Sequence, residues 1–435
     1  MVRDLSQCGH LPSNPISGQY ADLGEPRRNI QSIRLFIANR SKHRASNCRS
    51  PYTRLKRDAK PVSKLTVFVG GSVGSDPRSP KTWSGSCAPF VGALNTAGIL
   101  NGAVGIKVPR FYNSLLRAKN FNRNRSVWRS HYYFDPAYRD ALTRVARRVQ
   151  LPSPFLLQLG HMFSLPEAFP DKRCISYHDG NLSERLKSGF GLAGISAKRI
   201  DQALRYEERV ANQMEAVFTF SDYLRQSFIA DYHVPANRVF NVGGGINLTE
   251  IPAMRPDKTY TAPRILFIGA DFRRKGGPEL LEAFRIVRES VAAAELHIAG
   301  PASLETVPEG VYFHGHLSKA DPAQRHKLES LFRDSTLFVL PSLYEPFGIA
   351  PLEAMVYQLP CLVTDGWALR ETVTPGLTGD LVAKGAVEPL ATKIIELLSD
   401  PERLVAMGRR GREQVLGEFT WEAVARRIRD TIISI

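Results

Sequence analysis

Short apolar runs alternate with helical patterns along most of the 435-residue chain, and this alternation constrains the fold more than any other feature. In the first half we predict strands at residues 65–69, 154–159, 174–177 and 216–220 and helices at residues 135–149 and 197–214. In the second half we predict strands at residues 264–268, 295–299, 336–340 and 360–364 and helices at residues 278–290, 322–333 and 348–357. Such alternation is typical of βαβ units and a parallel sheet.

The alternation stops once, in a stretch with three prolines and no strong periodicity. We therefore predict two doubly wound, Rossmann-like α/β domains, at residues 64–247 and 264–417, joined by a linker at residues 248–263. A final helix at residues 418–435 would pack back on the first domain. Two domains of this kind face each other across a cleft, and parallel sheets bind ligands at the carboxyl ends of their strands.

The formal net charge of +16 is concentrated at the amino terminus, because residues 1–63 carry 12 Lys and Arg against 4 Asp and Glu. We predict that this segment is a basic, disordered extension; an organelle transit peptide and an over-long translation start are the alternatives. The five cysteines are scattered and include no CxxC pair. That pattern is against a disulfide scaffold or a structural zinc site and favours a reducing compartment, so we expect a cytoplasmic protein, with the cytoplasmic membrane face as a further location.

Two carboxylates lie eight residues apart in the segment Glu345-Pro-Phe-Gly-Ile-Ala-Pro-Leu-Glu353. Pro346 suits the first position of a helix, so we predict Glu345 at a strand-to-helix turn and Glu353 about two turns into the helix. Two such acceptors suit a sugar and a ribose, since both present hydroxyl donors. Taken alone, Glu345 could instead cap the helix and Glu353 could lie on its solvated face.

A phosphate site is predicted between these carboxylates. The backbone amides that would point out of the helix N-terminus are those of Phe347, Gly348 and Ile349. Unpaired amides and the helix dipole together make a helix N-terminus suitable for a diphosphate. Gly348 has no side chain, which lets a ligand approach the backbone closely.

The blocks around these residues resemble the donor site of glycosyltransferase family 4 (glycosyl transferases group 1). One block is PSLYEPFGIAPLEAM at residues 341–355, followed by Pro360 and by TGDLV at residues 378–382. The other is LFIGADFRRKGG at residues 266–277, followed by LLEAF at residues 280–284. The resemblance covers nearly all of residues 262–425 and extends more weakly across residues 65–247. It implies a GT-B fold and a glycosyltransferase that retains anomeric configuration.

The resemblance implies a role for each donor-site residue. Glu345 would hold hydroxyls of the transferred sugar, Glu353 would hold the ribose, and Lys275 would neutralise the leaving diphosphate. The family's arginine directly after the block's glycine is replaced here by Ala270. We expect Arg274 to substitute for it, with Arg273 as the other candidate, because a leaving diphosphate needs positive charge and an Arg/Lys pair supplies it without a metal. A solvated basic turn is the alternative.

Three residues of the first half are also assigned by the resemblance. His178 matches the family's histidine that faces the reacting sugar, where it would orient or stabilise; a structural histidine is the alternative. Gly85, in the loop Trp83–Ser86, resembles a glycine loop that borders acceptor and diphosphate, although an ordinary surface turn has the same composition. Ser221 matches a serine near the cleft and could equally be a helix N-cap.

Two further segments leave alternatives open. Gly243–Asn247 resembles the loop that closes the first domain, and its glycines could simply provide a turn and hinge. Arg117–Arg129 mixes basic residues with Phe121 and Trp128. It could contact an anionic membrane surface, guide an anionic acceptor, or be a solvated loop.

We therefore predict a retaining glycosyltransferase that moves a sugar from a nucleoside-diphosphate sugar to a hydroxyl acceptor, such as a sugar, glycan or lipid-linked glycan, in glycan, polysaccharide or glycolipid biosynthesis. No cofactor and no metal are expected, since the nucleotide sugar is a substrate. A nucleotide-sugar epimerase or hydrolase on the same scaffold is the alternative. Nucleic-acid binding is suggested only by net charge and is disfavoured, because the basic tail has no RNA-binding motif and no interleaved aromatic residues.

Overall fold

The computed structural model describes residues 64–150, 153–190, 192, 194–248, 250–301, 303 and 306–435. Within them the chain forms two six-stranded β-sheets in succession, and every strand pair is parallel. The predicted basic extension, residues 1–63, lies outside the described residues. The two parallel sheets, each with helical connections, confirm the predicted two-domain α/β fold class.

The first domain contains the sheet β2-β1-β3-β4-β5-β6. Its strands are β1 (Leu65–Gly70), β2 (Leu100–Ile106), β3 (Phe155–Leu159), β4 (Arg173–His178), β5 (Ala216–Thr219) and β6 (Val239–Asn241). Its helices are α1 (Cys87–Thr96), α2 (Arg110–Lys119), α3 (Arg125–Tyr133), α4 (Pro136–Ala146), α5 (Leu165–Ala168), α6 (Leu182–Ser188), α7 (Ala197–Gln213) and α8 (Asp222–Ala230). The segment Arg117–Arg129 therefore spans the end of α2 and part of α3, and is not simply a solvated loop.

The second domain contains the sheet β12-β11-β10-β7-β8-β9. Its strands are β7 (Arg264–Ile268), β8 (Glu295–Ala299), β9 (Val311–Phe313), β10 (Leu337–Leu340), β11 (Cys361–Thr364) and β12 (Gly379–Val382). The helices are α9 (Gly277–Ser290), α10 (Pro322–Asp334), α11 (Ile349–Val356), α12 (Leu369–Thr372), α13 (Val387–Leu398), α14 (Pro401–Glu418) and α15 (Trp421–Ser434).

The sequence pattern predicts the inner strands of both sheets and misses the outer ones. The strands without a prediction are β2, β6, β9 and β12, and each is an edge strand of its sheet. Central strands such as β1, β3 and β10 are buried along their whole length. Such strands need continuous apolar runs, whereas an edge strand can be short or partly exposed. β2 (LNGAVGI) shows this, with two glycines and only one fully buried residue.

The C-terminal helix α15 returns to the first domain and packs against α1. Its first residue, Trp421, is 3% exposed and lies 5.5 Å from Phe90 and 6.0 Å from Phe220 between ring centroids. Phe347 of the second domain reaches the same group, 5.1 Å from Phe220. The indole Nε1–H of Trp421 donates to Asn247 Oδ1 at 3.2 Å. These aromatic side chains form a cluster that joins the two domains.

We expect Trp421→Ala to lower the free energy of unfolding by about 3–5 kcal/mol, because it removes a buried indole and leaves a cavity in that cluster. Ile433→Ala is the matched control on the same helix. Ile433 is 62% exposed, so its truncation should cost less than about 0.5 kcal/mol. Urea denaturation of both variants provides the comparison, and equal losses in the two would show that α15 is not held through Trp421.

Candidate functional site

The winding of the second sheet reverses between β7 and β10, which are neighbours although they are distant in sequence. In an open parallel sheet, the loops that leave the carboxyl ends of two such strands separate and leave a crevice between them. Here these loops are residues 269–276 after β7 and residues 341–348 after β10. They carry the two sequence blocks that resemble a donor site, so the topology brings both blocks to one crevice.

The two loops touch at Gly276, where only a glycine fits. Its φ is +75°, and a Cβ atom at this position would lie 1.9 Å from the Pro341 carbonyl oxygen. The loops are also joined by a backbone hydrogen bond, in which the Leu343 amide donates to the Arg274 carbonyl at 2.8 Å. This close approach places the residue before Gly276, which is Lys275, against the second loop.

Lys275 and Glu345 form an ion pair across the two loops. The distance from Lys275 Nζ to Glu345 Oε2 is 2.8 Å, and the two side chains are only 15% and 10% exposed. Arg274 lies beside them: its guanidinium donates to the Tyr344 carbonyl at 2.6 Å and is 3.7 Å from the same Glu345 oxygen. The site therefore concentrates two cations at one carboxylate.

The neighbouring Arg273 is exposed and does not line the cleft. Arg274 does line it. Of the two arginines that the sequence left open, the structure thus places Arg274 where a leaving group could meet it. The role itself stays a prediction.

Helix α11 begins later than the sequence analysis predicts. Gly348 is its N-cap, with φ +95° and ψ +61°, and the first helical residue is Ile349. A left-handed residue cannot continue a helix, so Pro346 lies in the preceding turn and the prediction that it opens the helix is wrong. Consequently Glu353 lies about one turn into α11, not two. The amides of Phe347, Gly348 and Ile349 were predicted to face a phosphate. Ile349 is the first residue of α11, whereas Phe347 and Gly348 precede the helix.

Glu353 is held by groups that the sequence analysis did not assign to the site. Its Oε1 accepts from the Asn247 amide at 3.2 Å and pairs with Lys319 Nζ. The carboxylate is therefore buried and neutralised, and it does not lie on a solvated face. Lys319 precedes α10 and matches no motif, so nothing in its local sequence pointed to this position.

Asn247 connects Glu353 to the first domain. Its side-chain nitrogen donates to Ser86 Oγ at 2.9 Å, and its side-chain oxygen accepts from Trp421. The loop that contains Gly85 therefore meets the donor side of the cleft through Asn247. Gly85 itself does not line the cleft, whereas its neighbour Ser84 does.

The cleft between the domains has a volume of about 610 Å³. That volume lies in the usual range for small-molecule sites. Its charged lining residues are Asp179, Arg185, Asp271, Arg274, Lys275, Lys319, Glu345 and Glu353. Partial desolvation in the cleft raises the pKa of Asp179, and the negative charge of Glu345 raises it further, while a hydrogen bond from the Trp83 side chain acts in the opposite direction. The lining thus contains equal numbers of cations and carboxylates.

His178 lies in a smaller pocket of about 280 Å³ that adjoins the cleft. The two spaces share Asp179, the residue that follows His178, and also Arg185. His178 packs against His161, with ring centroids 3.9 Å apart and the ring planes tilted by 50°, and burial lowers the pKa of His178 to about 3. Nε2 of each ring has no hydrogen-bond partner among the described residues. His178 is therefore a neutral imidazole at the cleft's edge; His161, which follows β3, was not predicted.

Ser221 is the N-cap of α8, so of the two possibilities that the sequence left open the structure shows the cap. Its Oγ accepts from the Leu224 amide at 3.1 Å, and the residue is 1% exposed. Ser221 does not line the cleft. A buried hydroxyl that accepts from a helix amide in this way positions the start of the helix.

No group of three or more His, Cys, Asp or Glu side chains in the described part of the chain is placed to hold a metal ion. Among the described helices, none combines the length and the apolar character needed to cross a membrane.

The buried His178 gives the protein a measurable pH dependence. Its pKa is about 3 in the folded chain against 6.5 for a free histidine, so the unfolded chain binds a proton below pH 6.5 that folded His178 does not. Stability should therefore fall as the pH is lowered, by about 2 kcal/mol from this residue between pH 7 and pH 5. Denaturation of the wild type and His178→Gln at both pH values measures the difference.

We expect His178→Gln to reduce the loss of stability between pH 7 and pH 5. His326→Gln is the control, since His326 is exposed on α10, and it should keep the wild-type dependence. An unchanged dependence in His178→Gln would contradict the assignment of a neutral, buried imidazole.

Comparisons with known proteins identify a family that the second domain resembles. The model of the family "Glycosyl transferases group 1" matches residues 255–414, which include both donor-site blocks. The chain is 29% identical over 250 residues to alpha-maltose-1-phosphate synthase of Mycolicibacterium smegmatis, a match that covers 52% of this chain and 64% of that protein. The chain thus spans less than two thirds of the length of the curated relatives it matches.

Solved structures share the fold at low sequence identity. Sucrose-phosphate synthase from Thermosynechococcus elongatus superposes with a TM-score of 0.62 and 18% identity, covering 85% of this chain and 98% of that one. HepE of Anabaena, solved in complex with UDP and glucose, gives a TM-score of 0.56 and 15% identity, covering 86% of this chain and 100% of that one. These likenesses confirm the GT-B fold. At residues 255–414 the chain is thus similar to the glycosyl transferases group 1 family.

Proposed function

We propose that the protein transfers a glycosyl group from a nucleoside-diphosphate sugar to a hydroxyl acceptor. The observation that carries this proposal is the Lys275–Glu345 ion pair, with Arg274 beside it, at the point where the second sheet reverses its winding. Crevices at this point of parallel sheets bind nucleotides. A diphosphate brought there would meet two cations and the N-terminus of α11.

The ion pair suggests how the donor would be recognised. In the free protein Glu345 neutralises Lys275. A bound diphosphate would compete for the lysine, because phosphate oxygens and carboxylate oxygens accept the same charge-assisted hydrogen bonds. Glu345 would then be available to accept hydroxyl hydrogens of the transferred sugar. Lys275 and Arg274 would stabilise the negative charge that develops on the leaving diphosphate as the glycosidic bond breaks.

The other carboxylate fits the nucleoside end of the donor. Glu353 has two oxygens, of which Oε1 is occupied by the Asn247 amide and Lys319. Oε2 remains for the hydroxyls of a ribose. We assign Glu353 this part of the donor, with Lys319 as the cation paired with the carboxylate.

For the reaction itself, the family resemblance suggests attack on the face from which the diphosphate leaves. The acceptor oxygen forms the new bond to the anomeric carbon, the bond to the diphosphate oxygen breaks, and the departing phosphate takes the acceptor proton. Retention of configuration follows from this geometry. No cofactor takes part in this scheme, because the two cations supply the counter-charge.

Support for the donor class comes from the relatives. HepE of Anabaena was solved with UDP and with glucose, and the M. smegmatis relative is named as a synthase of alpha-maltose 1-phosphate. Both are consistent with sugar transfer in glycan biosynthesis. We further propose peripheral contact with an anionic membrane at its cytoplasmic face, because Phe111 and Leu115 on α2 are 79% and 50% exposed beside a basic surface. Co-sedimentation of the wild type and of Phe111→Ser/Leu115→Ser with phosphatidylglycerol vesicles tests that contact.

We expect Lys275→Ala to lower turnover by at least about 100-fold, because it removes charge that the leaving group needs. Glu345→Ala should lower turnover by more than about tenfold through lost hydrogen bonds to the sugar. Arg273→Ala is the matched control: it removes an equivalent charge from the same loop, but outside the cleft, and should leave turnover close to that of the wild type. The measurement is release of nucleoside diphosphate, with the donor first found by a thermal-shift screen of UDP-, GDP- and ADP-sugars.

Unchanged turnover in both Lys275→Ala and Glu345→Ala would rule out this site. The unfolding temperature of each variant is measured alongside, because removing one partner of a buried ion pair leaves the other charge unpaired. A loss of turnover at an unchanged unfolding temperature would support the assignment. The same assay without acceptor separates transfer from simple hydrolysis of the donor.

A further inference from the structure

A cavity of about 530 Å³ lies in the first domain, separate from the donor cleft. It is open to solvent and is lined by the loop 71–75 after β1, by the end of β2, and by α2, α3 and α4. Since β1 and β2 are parallel, their carboxyl ends and these loops lie at the same edge of the sheet. The proposed function does not use this cavity.

The cavity is strongly basic. Its charged lining residues are Lys107, Arg110, Arg117, Arg125 and Arg129, and we call it the basic pocket. No carboxylate lines it, and none of the five cations forms an ion pair with any described residue. In the donor cleft, by contrast, Lys275 and Lys319 are each paired with a glutamate. Five unpaired cations around one cavity repel each other unless an anion joins them.

Aromatic side chains hold some of these cations in place. The Arg117 guanidinium lies over the Trp128 ring at 5.1 Å, and Trp128 Nε1–H donates to the Arg117 carbonyl at 2.9 Å. Arg129 lies over Tyr133 at 5.7 Å. Tyr133 in turn packs on Tyr138, with centroids 5.6 Å apart. Cation–π contacts restrict Arg117 and Arg129 without neutralising them, so both guanidinium groups are held in place and remain positively charged.

One loop, residues 71–75, borders both the basic pocket and the His178 pocket that adjoins the proposed reaction site. The loop 71–75 lines the basic pocket through Gly71 and Ser75, and lines the His178 pocket through Ser72 and Val73. The His178 pocket shares Asp179 with the donor cleft. A molecule that presents a hydroxyl in the cleft could therefore extend past His178 and place its far end among the five cations.

We propose that the basic pocket binds a phosphate group of the acceptor. Arginines in this number favour phosphate, because the planar guanidinium donates two parallel hydrogen bonds to its oxygens and stays charged at any physiological pH. The inference rests on the proposed function, since it names the class of acceptor for that reaction. The phosphate can belong to a water-soluble sugar phosphate or to a lipid head group, and the two sources are separated by experiment.

The test measures binding of two probes to the full chain. Glucose 6-phosphate, with glucose as its uncharged counterpart, is titrated calorimetrically; phosphatidylglycerol vesicles, with phosphatidylcholine vesicles as their counterpart, are tested by co-sedimentation. The pocket variant is Arg125→Gln with Arg129→Gln. The matched control is Arg123→Gln, an exposed residue of the same segment that does not line the pocket. Arg110→Gln, on α2, is a second pocket variant in case the double variant unfolds.

We expect the wild type and Arg123→Gln to bind one of the phosphate probes equally well, and the pocket variants to bind it at least about tenfold more weakly. If the pocket variants lose affinity for glucose 6-phosphate, the acceptor is a water-soluble sugar phosphate. If the pocket variants lose affinity for phosphatidylglycerol vesicles, and Phe111→Ser/Leu115→Ser also binds these vesicles more weakly, the phosphate belongs to a lipid head group. Equal affinity of wild type and pocket variants for both probes, or binding of neither probe, overturns the proposal.

These outcomes are independent of the donor cleft. Lys275→Ala should lose turnover and yet bind the same phosphate probe as tightly as the wild type. If Lys275→Ala keeps its turnover, the proposed function fails whatever the basic pocket binds. If Lys275→Ala loses turnover while the pocket variants keep full affinity for both probes, the acceptor inference alone fails.

Discussion

The ion pair between Lys275 and Glu345 is the interaction on which the candidate site depends. It joins two loops that leave neighbouring strands, and both side chains are nearly enclosed. A pair in this position is stable only if each charge keeps its partner, because an unpaired charge in low dielectric is costly. The loops are therefore held at one separation, and Gly276, whose position admits no side chain, keeps them in contact. A ligand that enters the crevice finds its cations already in place.

The second constraint is the connection between the domains. Asn247 binds Glu353 through its amide, Ser86 through its side-chain nitrogen, and Trp421 through its side-chain oxygen. One residue therefore links the donor-side carboxylate, the loop of the first domain and the returning helix α15. Since Trp421 belongs to the aromatic cluster that joins the domains, the position of one domain against the other is coupled to the geometry at Glu353. The same contacts therefore fix the positions of the donor cleft and of the acceptor side relative to each other.

The sequence was sufficient for the fold class and for the inner strands, because buried parallel strands require continuous apolar runs. It was insufficient for the edge strands, of which β2 is the clearest case, because partial exposure and two glycines remove the pattern. The start of α11 was misplaced for a related reason. A proline near a helix start and a left-handed glycine N-cap have similar sequence signals, and only the backbone angles of Gly348 distinguish them.

The residues of the candidate site could likewise be predicted only in part from the sequence. Lys275, Glu345 and Glu353 belong to two blocks with fixed spacing, so the sequence was sufficient to predict them together as site residues. Lys319 and His161 come from separate loops and meet the site only through the fold. Local sequence favoured Arg274 but left Arg273 open, because adjacent side chains on a turn point in different directions and tertiary packing decides which one enters the cleft.

The central claim is that a nucleoside diphosphate binds where the two loops meet at α11. Hydrogen–deuterium exchange of the full chain, with and without UDP, GDP or ADP, tests it most directly. One of the three should slow exchange of the Ile349 and Ala350 amides and of the loop 269–276, because bound phosphate oxygens would accept hydrogen bonds there. Unchanged exchange at both places with all three nucleotides, or protection confined to the first domain, would contradict the claim.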